Sequence, residues 1–374
     1  MSTNVSVEGS FLMRSSEYML AKSLFDCSEF ERLVDTFEVN DCSSVDIVSL
    51  CLLAEHLLIQ KKESTTHDKS MLLKKAEVVY SRFSNDSIIN YLYAMILRQC
   101  ETMNCTDLVQ DLLLRSVRLE PWNWAAWMEL AALPLVVDNT GHPLYPFYML
   151  ERLKNEKKHK AILRQLESAT DKYSIQLRGY CYHELRQFTK AVAEFETLAK
   201  KDPYRLDGMD IYSNCLFVLE QEEQLTQLAQ FWMKISPNAF ETCIIGGNFF
   251  SLKADHEKAA VLFKRATVLS PSNINALLLL GHELVELRNP SAALAVYQQA
   301  ILVGKTSDSR PFYAIGQLFE LINQYAFAVY YFEKASHIDK SDTRIWTALA
   351  SCYKKLNRPE LAKSCMNKLK EVNS

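Results

Sequence analysis

Glycine is scarce in this chain, with 9 residues in 374, about a third of ordinary usage. Proline is sparse too, at 10. The turns of sheets lean on these two residues. A large sandwich, a barrel or a glycine-rich nucleotide-binding fold is therefore disfavoured, and helix stacked on helix remains. An excess of one charge is also missing. The 42 Lys+Arg face 45 Asp+Glu for a net charge of −3, which gives no pull toward nucleic acid or an acidic membrane surface. The longest apolar runs, at 50–54 and 276–280, fall far short of the ~18 residues that cross a bilayer. The ten cysteines form no C-x-x-C, so neither a zinc site nor a redox pair is signalled. They read as small core residues or free thiols, Cys42 and Cys105 among them, of a reducing compartment. Residues 1–14 hold no basic stretch followed by an apolar run, so no signal peptide is expected and the chain reads as soluble and intracellular.

Signatures of catalysis are absent as well. There is no G-x-G-x-x-G, no phosphate-binding loop, no G-x-S-x-G and no H-E-x-x-H. His282-Glu283 is followed by Leu-Val-Glu, so a second metal ligand is missing, and the histidines do not cluster. No catalytic residue, metal site or cofactor is expected. The basic run Lys154, Lys157, Lys158, Lys160 and Arg164 reads as a solvated helix face. The glycosylation sequons at Asn85 and Asn104 read as empty without a secretory signal.

What the sequence does have is a period. Small residues recur at Gly179, Ser213, Gly247, Gly281, Gly316 and Ala350, in steps of 34, 34, 34, 35 and 34. Twelve positions after each lie Ala191, Leu225, Ala259, Ala293, Ala328 and Ala362. Four further on lie Phe195, Ala229, Phe263, Tyr297, Phe332 and Met366. Pro203, Pro237 and Pro271 close three units, with Lys305 and Lys340 in that place later. This is the tetratricopeptide pattern, a helix–turn–helix of about 34 residues. Two helices cross closely where one offers a small residue, and a large apolar side chain fills the gap beside it. The expected fold is all-α, a tetratricopeptide superhelix of antiparallel helix pairs. Residues 172–374 hold about six repeats, of which 206–239 is the most degenerate. Residues 1–131 form a helical block with helices near 16–24, 29–37 and 45–60, a polar link at 61–69, and one repeat-like unit leading to Pro121. The stretch 132–171, with its 138–143 loop, is an irregular joint.

In such a solenoid the first helix of each unit lines the concave side. Places two, five, nine and twelve of each unit should face that groove, opposite the buried small position. They give Asp207, Asp210, Asn214, Glu241, Asn248, His282, Tyr313, Gln317 and Glu320 as partner-binding residues, with Arg310, Arg344 and Lys354 toward the far end. Side-chain amides at the ninth place can grip the backbone of an extended peptide. The early units are acidic, so a ligand there should carry Arg, which pairs bidentately with carboxylate. A carboxylate clamp of the co-chaperone kind would need Lys or Arg where Asp207, Asp210 and Glu241 stand. A peptide-receptor or co-chaperone-like adaptor is therefore the alternative, and an enzyme carrying repeats as an appendage would find only 132–171 for its catalytic part, too little for a domain.

Several segments resemble one family. The run from Lys201-Asp-Pro-Tyr through Ile211-Tyr-Ser-Asn214, the stretch Glu241-Thr-Cys-Ile-Ile-Gly-Gly-Asn248, and His256-Glu-Lys-Ala-Ala260 are similar to the central repeats of subunit eight of the anaphase-promoting complex. So are Gly281-His-Glu283, Gly316-Gln317 and Tyr330-Tyr331, with weaker matches at Tyr91-Leu-Tyr93, Trp124-Ala-Ala-Trp127 and Met13-Arg-Ser15. The resemblance implies a non-catalytic scaffold of a cell-cycle ubiquitin ligase in nucleus and cytoplasm. It implies other complex subunits as partners, a homodimer through the N-terminal repeats, and a coactivator whose Arg-containing N-terminal motif enters the C-terminal superhelix. Neither nucleic acid nor membrane is implied. Family members run on for further repeats, so the apolar face around Leu361, Cys365 and Leu369 is expected to lack a capping helix: either another subunit covers it, or the gene product is shortened or incomplete.

Overall fold

A tetratricopeptide hairpin forms where a short helix presents a small residue to a ring on the next helix, and that pairing organises four of the helix pairs of this chain. The structure, a computed structural model, describes residues 16–37, 44–61, 66–100, 106–134, 137, 141–304 and 308–373. Residues 1–14, Met13 to Ser15, Cys42, Asn104, Cys105, 138–140 and Lys305, all named above, lie outside them. Every regular element among the described residues is helical, 21 in all. The chain divides into two units, 1–158 and 159–374, and the division falls within 132–171.

The first unit contains α1 (Ser16–Asp26), α2 (Phe30–Thr36), α3 (Val45–Lys61), α4 (Thr66–Arg82), α5 (Ser87–Gln99), α6 (Thr106–Leu119), α7 (Trp124–Ala131) and α8 (Tyr145–Asn155). The expected link at 61–69 is shorter than its polarity suggested, because Thr66 to Lys69 already form the first turn of α4. Its core is one apolar cluster that includes Leu33, Ile47, Leu52, Ile89, Leu112, Trp127 and Tyr148. A buried polar knot ties α5 to α6 and α7. The Ser87 and Ser116 hydroxyls lie 3.0 Å apart, and the Asn123 amide donates to both.

The second unit opens with α9 (His159–Gln165) and continues as six helix pairs. These are α10 (Lys172–Glu184) with α11 (Phe188–Lys201), α12 (Met209–Val218) with α13 (Glu222–Ile235), and α14 (Phe240–Leu252) with α15 (His256–Leu269). Then come α16 (Ile274–Glu286) with α17 (Pro290–Gly304), α18 (Arg310–Leu321) with α19 (Tyr325–Ile338), and α20 (Thr343–Lys355) with α21 (Pro359–Asn373). The period explains the packing. Phe195, Phe263, Tyr297 and Phe332 press against Gly179, Gly247, Gly281 and Gly316, and a Cβ at any of these glycines would come under 3.0 Å from the ring. Each ring is buried.

The turns carry the same period. Arg186, Glu220, Ala254, Arg288, Asn323 and Asn357 all have φ between 53° and 61°. At each, the amide of the following residue closes back on the first helix, as in Gln187 to Tyr182 (2.8 Å) and Asn289 to Leu284 (2.9 Å). This is the left-handed helix ending that glycine usually supplies, built here without glycine. Among successive first helices, α10 with α12, α12 with α14 and α16 with α18 approach one another, and no two successive second helices come as close. The first helices therefore form the inner, shorter arc of the unit.

A candidate peptide groove on the inner arc

The first turns of α12 and α14 put Asp210 and Glu241 side by side on this inner arc. Burial pushes the Asp210 carboxyl up to about 6 against hydrogen bonds from the backbone at Ile211 and Asp210; the Glu241 charge adds to the rise, and His183 pulls weakly the other way. Among the described residues no Lys, Arg or His lies within 4.0 Å of either carboxylate. Asp207, two places before α12 begins, is exposed and pairs at 3.7 Å with Arg205 instead. It does not join the other two.

The ninth-place residues divide. Asn248 departs from the expectation of an open amide, since it is 1% exposed. Its Nδ2 donates to Asn214 Oδ1 at 2.6 Å and to Ser213 Oγ at 2.9 Å. The reason lies one unit upstream. Ser213 occupies the small position where its neighbours carry glycine, and its hydroxyl draws the amide inward. Asn248 therefore fixes the orientation of Asn214, which stays half-buried on the arc. His282 and Gln317 are exposed and line, with Glu320 and Tyr297, a hollow of about 390 Å³ between α16 and α18. His282 Nδ1 is hydrogen-bonded to the Tyr297 hydroxyl at 2.9 Å. Protein packed around the ring holds its pKa below the ordinary histidine value, against an opposing pull from Glu286. Gln317 donates to the Tyr313 hydroxyl at 3.3 Å, and Glu320 accepts from Ser351 at 3.4 Å.

The far end holds two guanidiniums in the same device. Asp308 caps the start of α18 and takes Arg310 through Nε and Nη2 at 3.0 and 2.6 Å. Asp342 does the same for α20 and Arg344 at 3.1 and 2.7 Å. Arg310 also reaches Asn275 Oδ1 at 2.6 Å, and Arg344 lies over the Tyr313 ring at 5.3 Å. Each arginine is thus largely neutralised by its own aspartate, which is poor preparation for a carboxylate clamp.

The inner arc also includes residues that sequence reasoning passed over. Counting the same groove places one unit earlier gives Tyr173, Gln176, Tyr180 and His183 on α10. The charge of His183 acts on Asp210. Its neighbour Glu184, 3.2 Å from it, is held below the usual carboxylate range by His183 first and by Arg310 as well. Among the described residues no group of three His, Cys, Asp or Glu could hold a metal, and no helix is long and apolar enough to cross a membrane.

Comparison with known proteins bears on identity. A family model described as Anaphase promoting complex subunit 8 / Cdc23 matches residues 10–177, and a tetratricopeptide repeat model matches 343–374. Anaphase-promoting complex subunit 8 of Arabidopsis thaliana is 31% identical over 301 residues, 74% of this chain and 51% of that protein. Its counterpart in Dictyostelium discoideum is 31% identical over 56% of this chain and 37% of its own length. Anaphase-promoting complex subunit CDC23 of Saccharomyces cerevisiae is 28% identical over 56% and 38%. The chain thus spans about half, or less, of the length of these relatives. A chain of a solved APC/C hetero-tetramer aligns with 95% of this one and 80% of itself, at 13% identity and a TM-score of 0.49. The chain belongs to the anaphase-promoting complex subunit 8 / Cdc23 family of tetratricopeptide-repeat proteins.

Proposed function

We propose that this chain is a non-catalytic scaffold subunit of the anaphase-promoting complex, acting in nucleus and cytoplasm. Its inner arc holds an extended, arginine-bearing segment of a coactivator. The observation that carries this reading is the pair Asp210 and Glu241. The Asp210 carboxylate, pushed up to about 6 by burial with the Glu241 charge beside it, works against folding when ionised, and a bound guanidinium relieves that by pairing with both carboxylates. Asn214, held by Asn248, offers a fixed amide beside them for the segment's backbone. Residues 1–131 dimerise and contact other subunits, 132–171 act as a joint, and 172–374 form the peptide-binding superhelix. Scaffold action is then docking at several sites at once, which raises the effective concentration of substrate near the ubiquitin-loaded enzyme.

The test is affinity capture from an extract of dividing cells with the unaltered chain and with Asp210→Asn/Glu241→Gln, read by mass spectrometry. Complex subunits should be recovered by both and the coactivator by the unaltered chain alone. Recovery of chaperones without complex subunits would favour the co-chaperone-like adaptor and overturn the reading.

A further inference from the structure

On the outer side of the second unit, crevices run between successive second helices, and one of them lacks the rings that fill its neighbour. Between α17 and α19 the Phe319 ring of α18 is sandwiched by Phe327 and Tyr331, with centroids at 5.4 and 5.6 Å. One repeat later Tyr353 takes the place of Phe319, but Leu361 and Cys365 stand where Phe327 and Tyr331 would be. A hollow of about 580 Å³ opens there, floored by Trp346, Leu349 and Tyr353. Leu361 is 43% exposed on its wall.

Its rim is basic. Lys340 and Lys368 border it, and neither lies within 4.0 Å of a carboxylate among the described residues, while Lys368 sits 4.6 Å over the Trp346 ring. The one acid on the lining, Glu333, already accepts from the Tyr353 hydroxyl at 2.5 Å. The equivalent crevice between α11 and α13, of about 420 Å³, has the opposite charge, with Glu196 and Asp202 against Arg205. That crevice stays open although eight more helices follow it, so continuing the stack does not fill this place.

We propose that the crevice between α19 and α21 is a docking site for a partner protein's short acidic segment bearing one aromatic side chain. The ring enters against Tyr353, restoring the stack that Leu361 and Cys365 leave out. Flanking carboxylates pair with Lys340 and Lys368. The site is separate from the inner arc and does not depend on the function proposed for it.

The test uses the full chain and a labelled, end-blocked peptide, Asp-Glu-Phe-Glu-Asp, followed by fluorescence anisotropy. Saturable binding below about 1 mM is expected, weakening with salt. Replacing the peptide's Phe by Ala should lose about tenfold. Leu361→Phe/Cys365→Tyr, which rebuilds the ring pair found one repeat earlier, should abolish binding without lowering the melting temperature. Lys340→Glu/Lys368→Glu should weaken it about tenfold or more, whereas Asp210→Asn should leave it unchanged. The proposal is overturned by unaltered binding to Leu361→Phe/Cys365→Tyr, by equal binding of the peptide with Lys for its acids, or by no saturable binding.

Discussion

Arg186 donates to Asp342 Oδ2 at 3.4 Å across 156 positions of sequence, joining the turn of the first helix pair to the start of the last. Burial opposes ionisation of Asp342, but hydrogen bonds from Arg344 and the charge of Arg186 outweigh it, and the carboxyl stays below its ordinary range. The inner arc is therefore fastened across its opening by an ion pair whose arginine is half-exposed. Exposed pairs contribute about 0.2–1 kcal/mol, so this fastening is weak and reversible. Arg186→Ala should leave the melting temperature nearly unchanged but widen the arc, seen as a larger radius of gyration in solution scattering of the full chain. Raising the salt should produce the same expansion in the unaltered protein and none in the variant, because screening and truncation remove the same attraction. Equal dimensions at low salt would dismiss the fastening.

Asp210 gives the protein a pH dependence of defined sign. Its carboxyl keeps a proton to about pH 6 in the folded chain, against about 3.9 in an unfolded one. The folded state binds more protons in that window, so stability falls as pH rises from about 4 to 6 and the loss persists above it. Asp210→Asn should raise stability at pH 7.5 by about 1–2 kcal/mol and flatten this part of the pH–stability curve. The same substitution should weaken binding of an arginine peptide at pH 7.5 and erase the gain in affinity that the unaltered protein shows between pH 5 and 7. Denaturant titrations and peptide anisotropy across that range check both. A destabilised Asp210→Asn would mean that the carboxylate is compensated in the fold.

The repeat was legible because its chemistry is local and periodic. Gly281 and Tyr297, 16 apart, must meet once both helices form, and no other reading satisfies four such pairs within six units in register. The groove was legible only in part. Asn248 looked like an open amide because its place on the helix is right. What buries it is Ser213 on a different helix, a small-position exception whose hydroxyl has a consequence only in three dimensions. The inner-arc role of Tyr180, His183 and Glu184 required counting one unit further back. The pairing of Arg186 with Asp342 has no sequence signal, since it follows from accumulated curvature over the whole unit.

The turns were hidden for another reason. Scarce glycine speaks against sheets, but gives no sign of a left-handed helix ending built here from Arg, Glu, Ala and Asn. Ala254, at φ 58°, is the plainest of these because its side chain makes no compensating hydrogen bond. A non-glycine residue in this conformation costs about 1–2 kcal/mol, and glycine's extra unfolded-state entropy returns about 0.5–1 kcal/mol of any relief. Ala254→Gly should therefore stabilise the second unit by about 0.5–1 kcal/mol. The urea midpoint should rise with an unchanged slope. A lower midpoint would show that the turn is unstrained.

Glu283 tests how the units communicate. It is 5% exposed on α16, yet its oxygens are engaged by Ser251 of α14 at 2.7 Å and by His256 at the start of α15 at 2.8 Å. One carboxylate thus ties one helix pair to the next. Removing it leaves a half-buried hydroxyl and a half-buried imidazole without their acceptor, at about 1–2 kcal/mol. Glu283→Gln keeps one acceptor oxygen and should cost about half as much, since one of the two donors must turn away. In a stacked array such a loss acts on the interface between neighbours rather than on the whole chain. Hydrogen exchange should therefore quicken first across α14 to α17 in Glu283→Ala, while α20 and α21 keep their protection. Uniform acceleration along the unit would show instead that the six pairs unfold as one.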